Sequence, residues 1–332
     1  MEGCRRINVL IGPPNVGKSN ILEAMSLYHF ADNNINCGLR DLVRIKDNRD
    51  LFNNWNVGNE ILVNIDDSHV LNANYGQKGQ VEMRFQENSD YLTNGDNKSH
   101  LDLYKSLSAN LDGAIYVTGD SGYEIIDFPS IKFYKYQEQP QVLKKGLPLK
   151  APFGENLLDT LVLHPTLRKS IVQLIKLYNL KLVIELETHE VKFTRFFGDD
   201  TFINVPYYLF ADTLKRLIFF QAAIQTNSQS IILFEEPEAH CFEPYILETT
   251  NAIKNDTNGN QFFLVTHSSF VVQELLRDQD IRKEVSVFLV DNNEQMETAV
   301  KRLEDEHLYD IHTSGIDLFF NFKSLWKETE YV

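Results

Sequence analysis

The chain is short of cysteine and of positive charge, and each shortage excludes something. Cys4, Cys37 and Cys241 stand singly with no CxxC pair, so neither a disulfide framework nor a zinc knuckle is expected. Lys and Arg number 32 against 47 Asp and Glu, a formal net charge of -15 at pH 7. An acidic surface opposes the phosphate neutralisation on which nucleic-acid binding relies, so direct binding of nucleic acid is disfavoured, a patch at Lys144, Lys145 and Lys150 notwithstanding. No apolar run approaches the roughly 18 residues of a membrane span. The opening MEGCRRINVLIG lacks the order of a signal peptide, so the expectation is no membrane and a cytoplasmic location. Internal repeats, low-complexity tracts and sustained heptads are missing too. What remains is 332 residues, 43% hydrophobic, enough to bury a sizeable core in one large domain or two joined ones.

Periodicity predicts an α/β chain in four stretches. INVLIG reads as a short buried strand, followed by a glycine-rich loop and a helix with Ile21, Met25 and Tyr28 at helical spacing. From about 58 to 136, EILVNI, VEMRF, GAIYVTG and IKFYKY alternate between Asn/Gly/Asp turns and read as one antiparallel lobe. From about 154 to 225 helices dominate, with Leu167, Ile171, Leu174, Ile175 and Tyr178 on one face after Pro165 and a short β excursion, KLVIELETHEVKFTRF. The last third alternates SIILFE, a helix from about 243, QFFLVTH, SSFVVQELL and VSVFLV, the rhythm of a parallel sheet that would also take in the first strand. EDEHLYDIHTSGIDLFFNF then reads as a final helix and a packing strand.

Three motifs carry chemistry. GPPNVGKS fits G-x-x-x-x-G-K-[ST], from Gly12 to Ser19, between a strand and an amphipathic helix. Backbone N–H groups from Asn15, Val16, Gly17, Lys18 and Ser19 would face the β-phosphate of a nucleotide, with Asn20 next in the helix; Lys18 would bridge the β- and γ-phosphates, and the Ser19 hydroxyl would join a Mg²⁺ shell. In SIILFEEPEAH, Ile231 to Phe234 lead into Glu235 and Glu236 at the carboxyl end of a strand, where ligands of open α/β sheets gather. Glu235 would hold Mg²⁺ and Glu236 would orient and polarise the attacking water. QFFLVTHSSF repeats the design with His267, placed to hydrogen-bond the γ-phosphate or the nucleophilic water.

Together GPPNVGKSN, IILFEEPEAH and FFLVTHSS resemble the ABC-type P-loop ATPases of the SMC, RecF and OLD branch, whose loop often reads GxNxxGKSN and whose acidic motif reads hydrophobic-(D/E)-E-P-E-x-H. FYKYQEQPQ through LPLKAPFGENLLDTL is similar to the middle of standalone OLD-like ATPases, the antiphage-defence type. The resemblance implies an ATPase head with a mixed, largely parallel core sheet, an antiparallel β lobe and an inserted helical lobe. Residues 1–153 and 226–332 would form the nucleotide lobe and 154–225 the helical one. It implies ATP and Mg²⁺ as ligands and two heads sandwiching two nucleotides, in a head-to-head homodimer or higher oligomer. The in-trans signature segment maps to LFADTLKRLIFF, on Asp212, Thr213, Lys215 and Arg216, where the family's Ser-Gly pattern is degenerate. A Mg²⁺-sensing glutamine maps to Gln137, Gln139 or Gln141, and the metal-binding acid is Glu235 where many relatives use Asp.

Relatives usually carry a β-hairpin ahead of the loop, whereas this sequence begins almost at the loop, so either it is truncated or adenine is held elsewhere; OLD nucleases carry a C-terminal nuclease domain, and the residues after VSVFLV are too few for one. The chain then reads as an ATPase head that works as a switch or sensor with a separately encoded effector, in antiphage defence. Two alternatives stay open: a RecF/SMC-like DNA-repair ATPase, and a nucleotide-bound scaffold with little hydrolysis.

Overall fold

The computed structural model describes residues 1–31, 37–65, 69–87, 103–109, 111, 115–121, 128–138, 146–176, 178–188, 190–198 and 200–329. They fall into two compact units, one of Met1–Ser19 with Lys132–Val332 and one of Asn20–Ile131.

The first strand, β1 (Ile7–Ile11), is buried at every residue, as a strand covered on both faces must be. It leads through residues 12–17 into α1 (Lys18–Ser26). In the second unit, α1 from Asn20 onward and a short α2 (Leu39–Leu42) precede an antiparallel meander of β2 (Ile61–Ile65), β3 (His69–Tyr75), β4 (Val81–Glu87), β5 (Leu103–Ala109) and β6 (Ile115–Ser121). Alternation sends Leu71 and Ala73 of β3, and Val81, Met83 and Phe85 of β4, to one buried face. Tyr28 meets Phe85 edge-on at 5.6 Å and donates its hydroxyl to Val63 O at 3.0 Å.

The other unit is built on β1 and on the chain beyond residue 131. After β7 (Ile131–Tyr134) come α3 (Leu157–Leu163), α4 (Pro165–Lys176), β8 (Lys181–Glu185), β9 (Glu190–Phe197), β10 (Thr201–Pro206) and α5 (Asp212–Thr226). Then β11 (Ile231–Glu235), α6 (Glu243–Lys254), β12 (Gln261–Val265), α7 (Ser269–Leu276), α8 (Gln279–Arg282), β13 (Val285–Asn292), β14 (Thr298–Arg302), α9 (Asp305–Ser314) and α10 (Phe322–Glu328) complete it. The core sheet has the order β14-β13-β1-β12-β11-β7, with β13, β1, β12 and β11 parallel and β14 antiparallel to β13. β10-β9-β8 form a small antiparallel sheet of their own. Helix α5 is buried from Leu214 to Ile224 at every residue but Arg216, and Phe219, Phe220, Phe234 and Phe262 form an aromatic chain from helix to sheet.

Four expectations change. IKFYKY does not end the antiparallel meander: β7 is the edge of the core sheet beside β11, and consecutive Phe133 and Tyr134 are both buried, the mark of a strand covered on two faces. Residues 154–225 do not form a compact unit of their own, since Leu158, Leu161, Leu167 and Ile171 share one hydrophobic cluster with Phe234 and Phe262 of the sheet; the segment that separates is 20–131. The β excursion gains a third strand, β10. The closing segment is helical, because Asp317 accepts the amides of Phe319 and Phe320 and turns the chain into α10. Among the described residues no helix is long and apolar enough to cross a membrane.

Asn227, just past α5 and 1% exposed, ties β7 to that helix. Its amide donates to Tyr134 Oη (2.7 Å) and Ala223 O (2.6 Å), and its oxygen accepts from Lys132 Nζ (2.7 Å). Replacing Asn227 by Ala removes all three, and urea unfolding should show a loss of about 2–3 kcal/mol; a change under about 0.5 kcal/mol, the size of an ordinary surface substitution, would show that the bridge is dispensable.

Candidate nucleotide site

The loop 12–17 has its shape because two glycines let a backbone carbonyl and a side chain of the neighbouring strands come close. A Cβ on Gly12 would lie 2.1 Å from Val290 O of β13, and one on Gly17, at φ +96°, would lie 2.1 Å from Thr298 Oγ1 of β14. Asn15 takes φ 63°, a left-handed conformation that Asn tolerates better than most residues. Val16 is buried and pins the loop, while Ser19 is half-buried and Asn20 exposed at the start of α1. Lys18 is 4% exposed and donates from Nζ to Gly12 O (2.9 Å) and Pro13 O (2.6 Å). Burial pushes its amine below the ordinary value, and the negative charges of Glu236 and Glu235 oppose that push.

Parallel register brings those carboxylates to the lysine. Leu10 of β1 and Glu235 of β11 both stand level with Val265 of β12, so the three strands end in one row. Glu236 follows with its N–H donated to Val265 O (2.8 Å), and Thr266 N donates to Leu10 O (3.3 Å). Glu236 sits at φ 45°, a conformation that costs a residue with a side chain about 1–3 kcal/mol and is retained only where surroundings over-determine it. Its Oε1 lies 3.5 Å from His267 Nε2, and both side chains are close to half exposed. Lys18, Glu235, Glu236 and His267 thus meet at one edge of the sheet.

Asp212, Thr213, Lys215 and Arg216 lie at the N-terminus of α5, which adjoins the turn after Glu236: Thr213 Oγ1 donates to His240 O (3.1 Å). Asp212 pairs with Arg216 (2.8 Å), whose guanidinium lies over the Tyr136 ring at 4.5 Å. Lys215 turns inward, 4% exposed, to Glu138 (3.0 Å). Both aromatic and acid flank Gln137; Gln139 and Gln141 lie outside the described residues, as do Lys144 and Lys145. Sequence reasoning gave no role to Glu238, although PEAH carries it. Its Oε1 accepts from Thr266 Oγ1 (2.5 Å) and from the His267 amide (3.1 Å).

The donor set suits Mg²⁺ shared with phosphates. Mg²⁺ keeps several waters and takes one or two protein oxygens, which Ser19 and Glu235 would supply beside a buried ammonium. Among the described residues no three His, Cys, Asp or Glu side chains gather into a metal cage.

The chain matches no protein-family model and no curated protein. Among solved structures, an SMC head bound to the C-winged helix domain of ScpA is similar over 92% of both chains at 14% identity, with a TM-score of 0.47. An Smc head domain with an extended coiled coil bound to the C-terminal domain of ScpA, from Pyrococcus furiosus, is similar over 92% of both chains at 13% identity and 0.42. The SMC head domain from Thermotoga maritima covers 90% of each chain at 13% identity and 0.38. These scores are low, and the mixed α/β architecture stands on the strand order of the chain itself.

Burial raises the Glu238 carboxyl above its ordinary 4.5, so the folded chain holds this proton more tightly than the unfolded one. Stability from this group is therefore present at low pH and lost as pH climbs from 4.5 through the raised value. Thermal melts of the parent and of Glu238→Gln should show the parent's relative stability falling over that window; a relative rise would contradict the assignment.

Proposed function

We propose that the chain is an ATPase head of the ABC type, binding ATP with Mg²⁺ at the loop 12–17 and the start of α1 and hydrolysing it at Glu236. The observation that supports this most is the meeting of buried Lys18 with Glu235, Glu236 and His267 at the carboxyl edge of three adjacent strands. Lys18 would exchange its two loop carbonyls for β- and γ-phosphate oxygens. Loop amides from Asn15 to Ser19 would face the β-phosphate, and Ser19 and Glu235 would hold the metal. Bound there, Mg²⁺ supplies charge neutralisation on the phosphate oxygens. Glu236 would take the proton of a water as its oxygen attacks the γ-phosphorus, while the bond to the β–γ bridging oxygen breaks and ADP leaves. His267, 3.5 Å from Glu236, is placed to hydrogen-bond that water or the γ-phosphate.

The same reading makes the head a switch. ATP would close a head-to-head homodimer or higher oligomer, with Asp212 and Thr213 at the exposed start of α5 reaching the partner's nucleotide, and hydrolysis would reopen it. We place it with the standalone OLD-like ATPases of antiphage defence, acting on a separately encoded effector in the cytoplasm. A second reading, tight nucleotide binding with little turnover, is favoured by one observation: Lys215 and Arg216 are already engaged with Glu138, Asp212 and Tyr136 of their own chain.

Phosphate release and nucleotide occupancy measured together separate the two. The ATPase reading expects steady release by the parent, a fall of about 10²-fold or more in Glu236→Gln with ATP retained, and no occupancy in Lys18→Ala. Full occupancy without release by the parent supports the scaffold, and occupancy undiminished in Lys18→Ala overturns both.

A further inference from the structure

We propose that Glu238 is a positioning residue that holds His267 at its working distance from Glu236; the proposal rests on the ATPase reading for its catalytic consequence, though not for its geometry. The His267 imidazole is 44% exposed, so little packing fixes it, and its place is set by the backbone that carries it. Besides the bond of Thr266 N to Leu10 O, one carboxylate holds that backbone. Glu238 Oε1 accepts the Thr266 hydroxyl (2.5 Å) and the His267 N–H (3.1 Å), and the same hydroxyl accepts the Ser268 N–H (3.0 Å). Three consecutive residues, with His267 in the middle, therefore hang from a single oxygen. Thr266 is fully buried, which leaves its hydroxyl no solvent to turn to.

The other end of the clamp is the turn of Glu236. Ala239 N donates to Glu236 O (2.9 Å) and Cys241 N to Glu238 O (2.9 Å), so Glu236 and Glu238 share one tight loop after β11. Glu238 thus spans the gap between the β11 and β12 loops, and the approach of His267 Nε2 to Glu236 Oε1 is the outcome. Its second oxygen, Oε2, is buried with no hydrogen-bond partner among the described residues.

The test combines turnover with amide exchange. Glu238→Ala should lower kcat by about tenfold or more with KM within about twofold, since misplacing a group next to the chemistry slows the step without weakening binding. Glu238→Gln, which keeps a carbonyl oxygen at Oε1, should restore most of the rate. In a His267→Ala background Glu238→Ala should cost no more than about twofold, because the residue acts through the histidine. Independently of hydrolysis, exchange of the His267 and Ser268 amides should quicken about tenfold or more in Glu238→Ala and stay near the parent's rate in Glu238→Gln. Thr266→Val, which removes the shared hydroxyl, should loosen Ser268 likewise and serves if the alanine variant does not fold. Equal losses with and without His267, or unchanged amide exchange, overturn the proposal. A parent that releases no phosphate sinks the ATPase reading alone, and the exchange rates then decide the clamp.

Discussion

Lys18 carries its ammonium into a place only 4% exposed, and the rest of the site is arranged around that charge. A buried cation is tolerated when it is paired and hydrogen-bonded. Two loop carbonyls accept its hydrogen bonds, and Glu235 and Glu236 supply opposing charge from a strand two positions across the sheet. The parallel order β11-β12-β1 makes this possible, because parallel neighbours end on the same edge. The β13–β14 hairpin closes the other side, where Val290 and Thr298 come so near the loop that only glycine fits at positions 12 and 17.

Above a sheet whose central strand is fully buried, that edge gathers what a merely stable chain would avoid. Glu236 sits in a left-handed conformation, Lys18 is desolvated, and Glu238 hides an oxygen without a partner among the described residues. Such features cluster where function requires them and are carried by stability gained elsewhere. Helix α5 joins the two regimes: Phe219 and Phe220 anchor it in the aromatic core, while Thr213, Lys215 and Arg216 at its start touch the turn after Glu236 and the residues flanking Gln137.

Much of this was legible from residue order. GPPNVGKS reports its own backbone needs, and runs such as INVLI and VSVFLV could only be strands covered on both faces. Local pattern failed where the partner decides the outcome. IKFY alternates no differently from the meander strands before it, and its place beside β11 shows only in the folded chain, in the strand order and in the burial of both Phe133 and Tyr134. The helices of 154–225 look self-contained because periodicity shows an apolar face without showing its cover: α3 and α4 pack on α5, and α5 in turn packs through Phe220 on Phe234 of the core sheet. Glu238 was hidden for a related reason, since its partners Thr266 and His267 lie on another loop and no spacing encodes them.

Central to this account is that Lys18, Glu235, Glu236 and His267 serve one triphosphate. A crystal structure of the protein with Mg²⁺ and a non-hydrolysable ATP analogue tests it most directly. The expected result has the β- and γ-phosphates at Lys18 Nζ, the metal between Ser19 and Glu235, and a water held between Glu236 and the γ-phosphorus. Phosphates bound away from Lys18, or a metal that ignores Ser19 and Glu235, would contradict it.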